Sequence, residues 1–335
     1  MRAVVVDAFG PFEAASVRDI PDPVPGAGEV LVETRAAAAN FVDLLVIDGS
    51  YQKKPKLPFV PGKCAAGIVK AIGAQVTGFK SGDRVLALCE EGGYGTLVAE
   101  AAARCFRLPD AMSFVDAASM STIFDTAWFA LRERGRTRPG EAVLVLGASG
   151  GVGLAAVQLA KAFGAKVLAG TAKPGKAGIV RDAGADAIVD LSRPDLRDSL
   201  RDQVYAATGG HGADVIIDML GGDAFDAGLR ALAWRGRLVV IGFAAGRIPV
   251  VKANYLLLKN IEVSGMQVSN YRDRVPGEVA QCFADLFALY EAGKIAAPPT
   301  TVLPLEHFAQ ALRALRDRTI RGRIVLVPDG AGNGA

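Results

Sequence analysis

The stretch that decides the fold is Gly147-Ala148-Ser149-Gly150-Gly151-Val152-Gly153. A continuous apolar run, Val143-Leu-Val-Leu146, precedes it, and apolar residues at helical spacing follow from Val152 to Phe163. A glycine run between a strand and a helix is informative in a way that a bare motif is not. Residues 148–153 fit the dinucleotide fingerprint GxGxxG with alanine at the first position. Gly150 lets the backbone approach a pyrophosphate and Gly153 lets the helix pack closely on the strand. Ser149, Gly151 and Val152 complete a turn whose helix N-terminus offers free N–H groups and a positive dipole end to phosphates. The same residues also match GxSxG through Gly147, Ser149 and Gly151, the nucleophile-elbow pattern of hydrolases. That competing reading makes Ser149 a nucleophile, with Asp218 and His307 following in chain order. Against it, His211 lies in a polar loop ahead of Asp218, His307 begins a helix, and the N-terminal third has no place in such a fold. Serine-dependent esterase activity, lost in Ser149→Ala, would overturn the dinucleotide reading.

Outward from the glycine run, strands and helices alternate. Strands are expected at Lys166–Gly170, Ala187–Asp190, Asp214–Asp218 and Arg237–Gly242, with helices at Lys176–Ala183, Asp195–Ala207 and Ala224–Ala233 between them. Alternation requires parallel crossovers, hence an α/β fold with a doubly wound parallel sheet. The strands are continuously apolar, as expected when both faces are covered. The first 120 residues read differently. Short strands at Val30–Thr34, Ala66–Val69 and Arg84–Leu88, broken by Gly and Pro turns, predict an antiparallel barrel or sandwich. Past residue 266 the spacing predicts helices at Gly277–Ala292 and Glu306–Arg316, a strand at Arg323–Val327 and a disordered tail from Pro328 to Ala335. The pattern thus changes near residue 120 and again near 266, with 121–266 as the dinucleotide-binding stretch.

Composition excludes several chemistries. The chain of 335 residues carries two histidines, His211 and His307, too few for a three-histidine zinc site. The four cysteines, Cys64, Cys89, Cys105 and Cys282, form no CxxC pair, so neither a four-cysteine zinc lobe nor a redox pair is expected. A disulfide scaffold is also not expected, which points to a reducing, cytoplasmic setting. A net charge of +3 gives no footprint for nucleic acid, and no apolar run is long enough for a membrane span.

Cofactor choice is read at the end of the second strand. The residues Ala169-Gly-Thr-Ala-Lys-Pro-Gly-Lys176 contain none of the acids that bind the ribose hydroxyls of NAD. Gly170 is expected to leave room, Thr171 to donate a hydrogen bond, and Lys173 and Lys176 to attract a 2′-phosphate. This favours NADPH; the bland alternative is that both lysines are solvated residues at a helix start.

The set Asn40-Phe-Val-Asp43 with Gly49 and Tyr51, Leu57-Pro-Phe-Val-Pro-Gly62, Gly82-Asp-Arg-Val85, the glycine run, Gln158-Leu-Ala-Lys161 and Gly322-Arg-Ile-Val-Leu326 spans most of residues 1–327. In that order it resembles the medium-chain dehydrogenase/reductase superfamily, in its zinc-free quinone oxidoreductase (ζ-crystallin-like) branch. The resemblance implies a GroES-like catalytic domain, 1–120 with 267–335, into which a Rossmann domain, 121–266, is inserted, and a homodimer or homotetramer with the strand near Ile261–Gly265 at the subunit edge. It implies that Asn40 and Tyr51 are catalytic and lie near the nicotinamide. It places Asn40, Thr126, Thr171, Leu220, Phe243, Met266 and Arg323 among the cofactor contacts, with Lys176 on the 2′-phosphate. The zinc enzymes of the superfamily carry ligands near Asn40, at Lys63–Cys64 and near Ala118; none of the usual ligands stands there. Further departures are Leu191 and Leu45, each in place of a tyrosine, and Cys64 in place of a glutamate. The implied reaction is zinc-independent hydride transfer from NADPH to a small-molecule acceptor, a quinone or an α,β-unsaturated carbonyl compound. The alternatives are an enoyl or acryloyl reductase, CoA-linked substrates included, and a binding protein that holds NADPH without turnover. Tyr51 is read as a donor to the acceptor oxygen or as a packing residue, and Cys64 as a buried inert thiol or a nucleophile toward the same acceptors.

Overall fold

The computed structural model describes residues 1–328, so the expectation for the tail falls, from residue 329 on, outside the described residues. The chain forms two compact units. The first comprises Met1–Thr122, Arg272–Phe287 and the chain from Ala296 onward; the second comprises Ile123–Tyr271 and Ala288–Ile295.

In the second unit six strands make one parallel sheet, in the order Ala187–Asp190, Lys166–Thr171, Ala142–Leu146, Ala213–Asp218, Leu232–Val240, Glu262–Gly265. Helices Gly151–Ala162, Ala177–Asp182, Leu196–Ala207 and Gly222–Ala231 carry the chain between successive strands. Ala142–Leu146 is buried at every residue, as a central strand covered on both faces must be. Leu144, Leu146, Leu168, Ile216, Leu238 and Phe225 form the core beneath it. The expected strands are all present. Leu232–Val240 starts earlier than Arg237 because Ala213 already pairs with Leu232, before a register shift brings Val215 opposite Arg237. Chain order reverses at Ala142–Leu146, whose neighbours are the next strand in sequence on one side and Ala213–Asp218 on the other. Ligands of doubly wound sheets bind at the carboxyl ends of the strands at such a switch point.

The first unit is built on a seven-stranded sheet. Its path runs Thr300–Pro304, Arg323–Val327, Glu29–Ala39, Cys64–Ile72, Arg84–Leu88, Cys105–Arg107, with Leu97–Ala101 also paired to Glu29–Ala39. Neighbours are antiparallel except Thr300–Pro304 with Arg323–Val327, which are parallel. The strands of the first 120 residues thus pair antiparallel, as expected, and the parallel pair belongs to the C-terminal segment. Helix Phe308–Arg316 lies between those two strands in sequence and supplies the crossover that a parallel pair needs. A helix not expected from sequence, Phe41–Asp48, follows the long strand. Six of its eight residues are apolar and nearly contiguous, so the stretch shows no polar face and no 3.6-residue period. No described helix is long and apolar enough to cross a membrane.

Candidate functional site

The glycine turn of the second unit leaves the strand at Gly147, whose φ of 86° is a left-handed conformation that glycine adopts without strain. The Gly147 and Ala148 N–H groups donate to the Gly170 carbonyl at 3.1 and 3.0 Å, tying the turn to the adjacent strand. Gly150 N–H donates to the Gly147 carbonyl, and the first helical bond is Leu154 N–H to Gly150 O at 2.8 Å. The amides of Gly151, Val152 and Gly153 therefore stand ahead of the helical ladder, where an anion finds its donors. A Cβ on Gly153 would lie 2.3 Å from the Gly147 oxygen, so only glycine allows this helix–strand approach. A Cβ on Gly150 would meet only that same oxygen, at 3.4 Å; its other side is open. Ser149 is half-buried in the turn.

The neighbouring strand ends complete this rim. Asp218, fully buried, accepts from Leu220 N–H at 2.8 Å and from Gly221 N–H at 3.1 Å, which folds the next loop back on itself. Burial pushes its carboxyl up to about 6, against the pull of these two amide bonds. Leu220 leans on the turn: a Cβ on Gly147 would be 3.1 Å from its Cδ2. Phe243 packs over Gly221 but stays 41% exposed, an aromatic face at the rim with room for a flat partner. Met266 is buried, its N–H held by the Val240 carbonyl. Thr171 ends the second strand, buried, and accepts from Lys173 N–H at 3.3 Å; Lys176 follows, half-buried. Thr126 is buried on the helix Phe114–Phe129, with its N–H on Asp125 Oδ1. One expectation changes here. Gly170 does not leave room at the rim, because a side chain there would meet the Val145 carbonyl at 3.1 Å and Leu146 and Leu191 at 3.3 Å. That glycine serves close packing inside the sheet.

In the first unit the polar groups converge on Asn40. Its N–H donates to Asp43 Oδ2 at 2.8 Å, half of a capping box at the start of helix Phe41–Asp48. Its Oδ1 accepts twice, from Arg323 Nη2 at 2.7 Å and from Thr122 Oγ1 at 2.8 Å, and its Nδ2 donates to the Ala38 carbonyl. Two donors on one oxygen fix which end of the amide is which. Arg323 is 5% exposed and gives its Nε to the Ser119 carbonyl. Tyr94, fully buried, donates to Asp43 Oδ2 at 2.7 Å, while Asp43 Oδ1 is buried with no hydrogen-bond partner. Burial raises the Asp43 carboxyl to about 6, opposed by the Tyr94 and Asn40 bonds and by the charges of Lys63 and Arg323. Cys64 is buried, and desolvation pushes its thiol up, as suits an inert group. The Ser121 hydroxyl lies 3.0 Å from its sulfur. Tyr51 is partly exposed, with the Lys63 ammonium 5.0 Å from its ring centroid.

Residues 26–110 match the alcohol dehydrogenase GroES-like domain family, and residues 151–285 the zinc-binding dehydrogenase family. Quinone oxidoreductase-like protein 2 of Mus musculus is 36% identical over 307 residues, covering 91% of this chain and 86% of that protein. The chain belongs to the medium-chain dehydrogenase/reductase superfamily, in its quinone oxidoreductase-like branch. Solved structures agree with this membership. A mycobacterial protein complexed with NADPH superposes with a TM-score of 0.89 at 31% identity, covering 98% of this chain and all of that one (100%). A quinone oxidoreductase of Pseudomonas syringae gives 0.89 at 30%, covering 98% and 99%. The chain is thus an oxidoreductase of this family.

Family membership raises two groups, a zinc ion and a dinucleotide. The residues do not fit zinc. Asn40, Lys63, Cys64 and Ala118 offer one thiol among them, and each polar member already has a protein partner. Among the described residues no three His, Cys, Asp or Glu side chains are grouped to hold a metal. The glycine turn does fit a dinucleotide, since it is open on the Gly150 side, where an added Cβ would meet only one oxygen. Ser149 lacks the hydrolase setting, because Asp218, the acid of that reading, is committed to backbone amides. Sequence reasoning had missed the roles of Asp43, Tyr94 and Thr122. The Asn40-x-x-Asp43 spacing was the one available signal, as a capping pattern.

Proposed function

We propose that the protein is an NADPH-dependent, zinc-independent reductase whose acceptor is a quinone or an α,β-unsaturated carbonyl compound. The observation that carries this is the glycine turn at the sheet's switch point. It has free helix amides, an open Gly150 face and no acid at the end of the second strand. The NADPH complex of a similar protein supports the choice of cofactor. The amides of Gly151, Val152 and Gly153 hold the pyrophosphate against the open face of Ser149–Gly150, and Thr171 and Lys176 hold the 2′-phosphate. Leu220, Phe243 and Met266 line the apolar rim, and Thr126, Asn40 and Arg323 are the further cofactor-side residues. When bound, NADPH supplies a hydride. Without a Lewis acid, an acceptor already conjugated is favoured, because its negative charge spreads to oxygen. Tyr51 donates a proton or hydrogen bond to that oxygen, and Asn40 orients the acceptor or the ribose.

The assembly in this reading is a homodimer or homotetramer. Its support is the sheet edge at Glu262–Gly265 and the exposure of Leu257 and Leu258 beside it, 78% and 74%. The functional test is NADPH oxidation against a panel of quinones and a panel of enones, CoA thioesters included. Turnover of quinones or simple enones supports the proposal, and turnover of thioesters alone moves it to an enoyl reductase. Tight NADPH binding with no turnover leaves a binding protein and refutes the enzymatic reading.

A further inference from the structure

Lys63 is the feature that neither the family resemblance nor the reaction accounts for. It is 4% exposed, and its ammonium donates to Glu90 Oε2 at 2.8 Å and stands 5.0 Å from the centre of the Tyr51 ring. The backbone on which it sits is fixed. Its carbonyl accepts from Cys89 N–H, while Gly92, Gly93 and Tyr94 donate to Val60, Gly62 and Pro61, so 60–63 is zipped along 89–94. Tyr51 is anchored from the other side, its N–H on the Leu45 carbonyl at the end of helix Phe41–Asp48. A buried ammonium is costly to desolvate, and a methionine or leucine would fill the same space without that penalty. Glu90 alone does not explain it, because a partly exposed carboxylate has no need of a buried partner. Burial pushes the Glu90 carboxyl up, and the charge and hydrogen bond of Lys63, with Arg272 and Lys53 beyond, more than reverse this. The Glu90 carboxylate is thereby held in its charged form, and the Lys63 side-chain nitrogen between it and Tyr51 faces the aromatic ring.

We infer that Lys63, held by Glu90, is a positioning residue for Tyr51: it fixes the ring and favours the state in which the Tyr51 hydroxyl gives up hydrogen-bond or proton density to the acceptor oxygen. The inference rests on the assignment of Tyr51 to the acceptor in the proposed function. A cation over a ring face is attracted more strongly as the ring becomes electron-rich. That enrichment accompanies donation by the phenol O–H, so the interaction is stronger in the transition state than before it, which is the kind that raises kcat. No bond is made to Lys63, and its proton stays on nitrogen.

The test is a double-mutant cycle of Lys63→Met and Tyr51→Phe, with Lys63→Arg as the charge-conserving control. Single-turnover NADPH oxidation is followed with whichever acceptor the panels identify. In parallel, the Tyr51 ring resonance of carbon-13 tyrosine-labelled protein, assigned by its disappearance in Tyr51→Phe, is compared in each variant. Lys63→Met is expected to lower kcat about 10-fold, with KM for NADPH unchanged, and to shift or broaden the Tyr51 resonance. Lys63→Arg is expected to recover most of both, and Lys63→Met is expected to have no further effect once Tyr51 is phenylalanine. An undiminished loss in the Tyr51→Phe background, or an unchanged kcat in Lys63→Met, overturns the inference. If no acceptor is reduced, the proposed function fails and the resonance decides alone. An unmoved Tyr51 signal in Lys63→Met refutes the positioning, and a moved signal restored by arginine upholds it.

Discussion

Alanine at Gly150 and alanine at Gly153 should do opposite things, and the geometry says which. At Gly153 the added Cβ falls 2.3 Å from the Gly147 oxygen and 2.7 Å from the carbonyl carbon and Cα of Ala148, all of them backbone. Ordinary contact needs about 3.5 Å, so the turn must retreat by roughly 1 Å. Overpacking of this kind costs about 1–3 kcal/mol. Alanine's better helix propensity returns about 1 kcal/mol. The net loss is about 0–2 kcal/mol, which in a unit of this size lowers the melting temperature by up to roughly 8 °C. At Gly150 the backbone is extended (φ −82°, ψ 171°), a conformation alanine accepts, and the Cβ meets one atom at 3.4 Å. The fold should tolerate it, with a melting temperature within about 1–2 °C of the parent. The methyl group then occupies the face left open for the pyrophosphate, and the same overpacking scale weakens NADPH about 10- to 100-fold. Fluorescence titration with NADPH and thermal unfolding with and without it measure both effects. Saturating NADPH at about 100 Kd should stabilise the parent by about 2.7 kcal/mol, and about half or more of that should vanish in Gly150→Ala. Parent-like NADPH affinity in Gly150→Ala would refute the assignment of the turn. A melting temperature above the parent's in Gly153→Ala, the result of helix propensity acting alone, would refute the close approach.

The Asp43 carboxyl, raised to about 6 from an ordinary 3.8, binds its proton more tightly folded than unfolded. Its contribution is fully present below about pH 4 and is lost as pH rises through about 6, up to roughly 3 kcal/mol. Asp43→Asn, which keeps an acceptor for Tyr94, should flatten that limb of a stability-against-pH curve measured by denaturant midpoints, leaving the Asp218 part; an unchanged slope counts against the burial argument. Lys176→Ala should raise KM for NADPH about 10-fold, as expected when a charged hydrogen bond is lost, and leave KM for NADH unchanged; equal losses would remove Lys176 from the 2′-phosphate. Asp218→Ala frees the Leu220 and Gly221 amides and should weaken NADPH several-fold with little change at Tyr51-dependent steps, whereas unaltered binding would show that the loop needs no such anchor.

The second unit was legible in the sequence because its signals are local. The inner strands are continuous apolar runs and glycines punctuate the helices that follow them, so Ala142–Leu146, Ala187–Asp190 and Gly151–Ala162 emerged nearly residue for residue. The first unit depends on long-range pairing, which no short window shows. Thr300–Pro304 has three exposed residues of five and gains its place only from Arg323–Val327. The candidate site divides in the same way. The glycine turn is a motif, and its residues are adjacent in sequence. The cluster around Asn40 joins residues as far apart as 40, 94, 122 and 323 through side chains whose meeting depends on the folded sheet. Gly170 was misread for a related reason: sequence locates the strand end but not which face of the sheet its Cβ would point to.

Three ionisable side chains are buried in the first unit beside two residues singled out from sequence alone. Arg323 donates to the Asn40 side chain, Asp43 accepts from the Asn40 N–H, and Lys63 stands over Tyr51. Stability does not explain them. Apolar residues of similar size in such places are often neutral or stabilising, and burial here raises Asp43 and lowers Arg323, the directions that oppose charge. The arrangement makes sense if Asn40 and Tyr51 must meet a developing negative charge without first turning toward it. Donors and dipoles that are already fixed need no reorganisation as charge appears. A doubly hydrogen-bonded Asn40 oxygen, a capped backbone amide and a cation against the Tyr51 ring each remove one such degree of freedom. The destabilising groups are therefore where an acceptor-side function would require them, and this supports the roles proposed for Asn40 and Tyr51 on grounds separate from the resemblance that first named them.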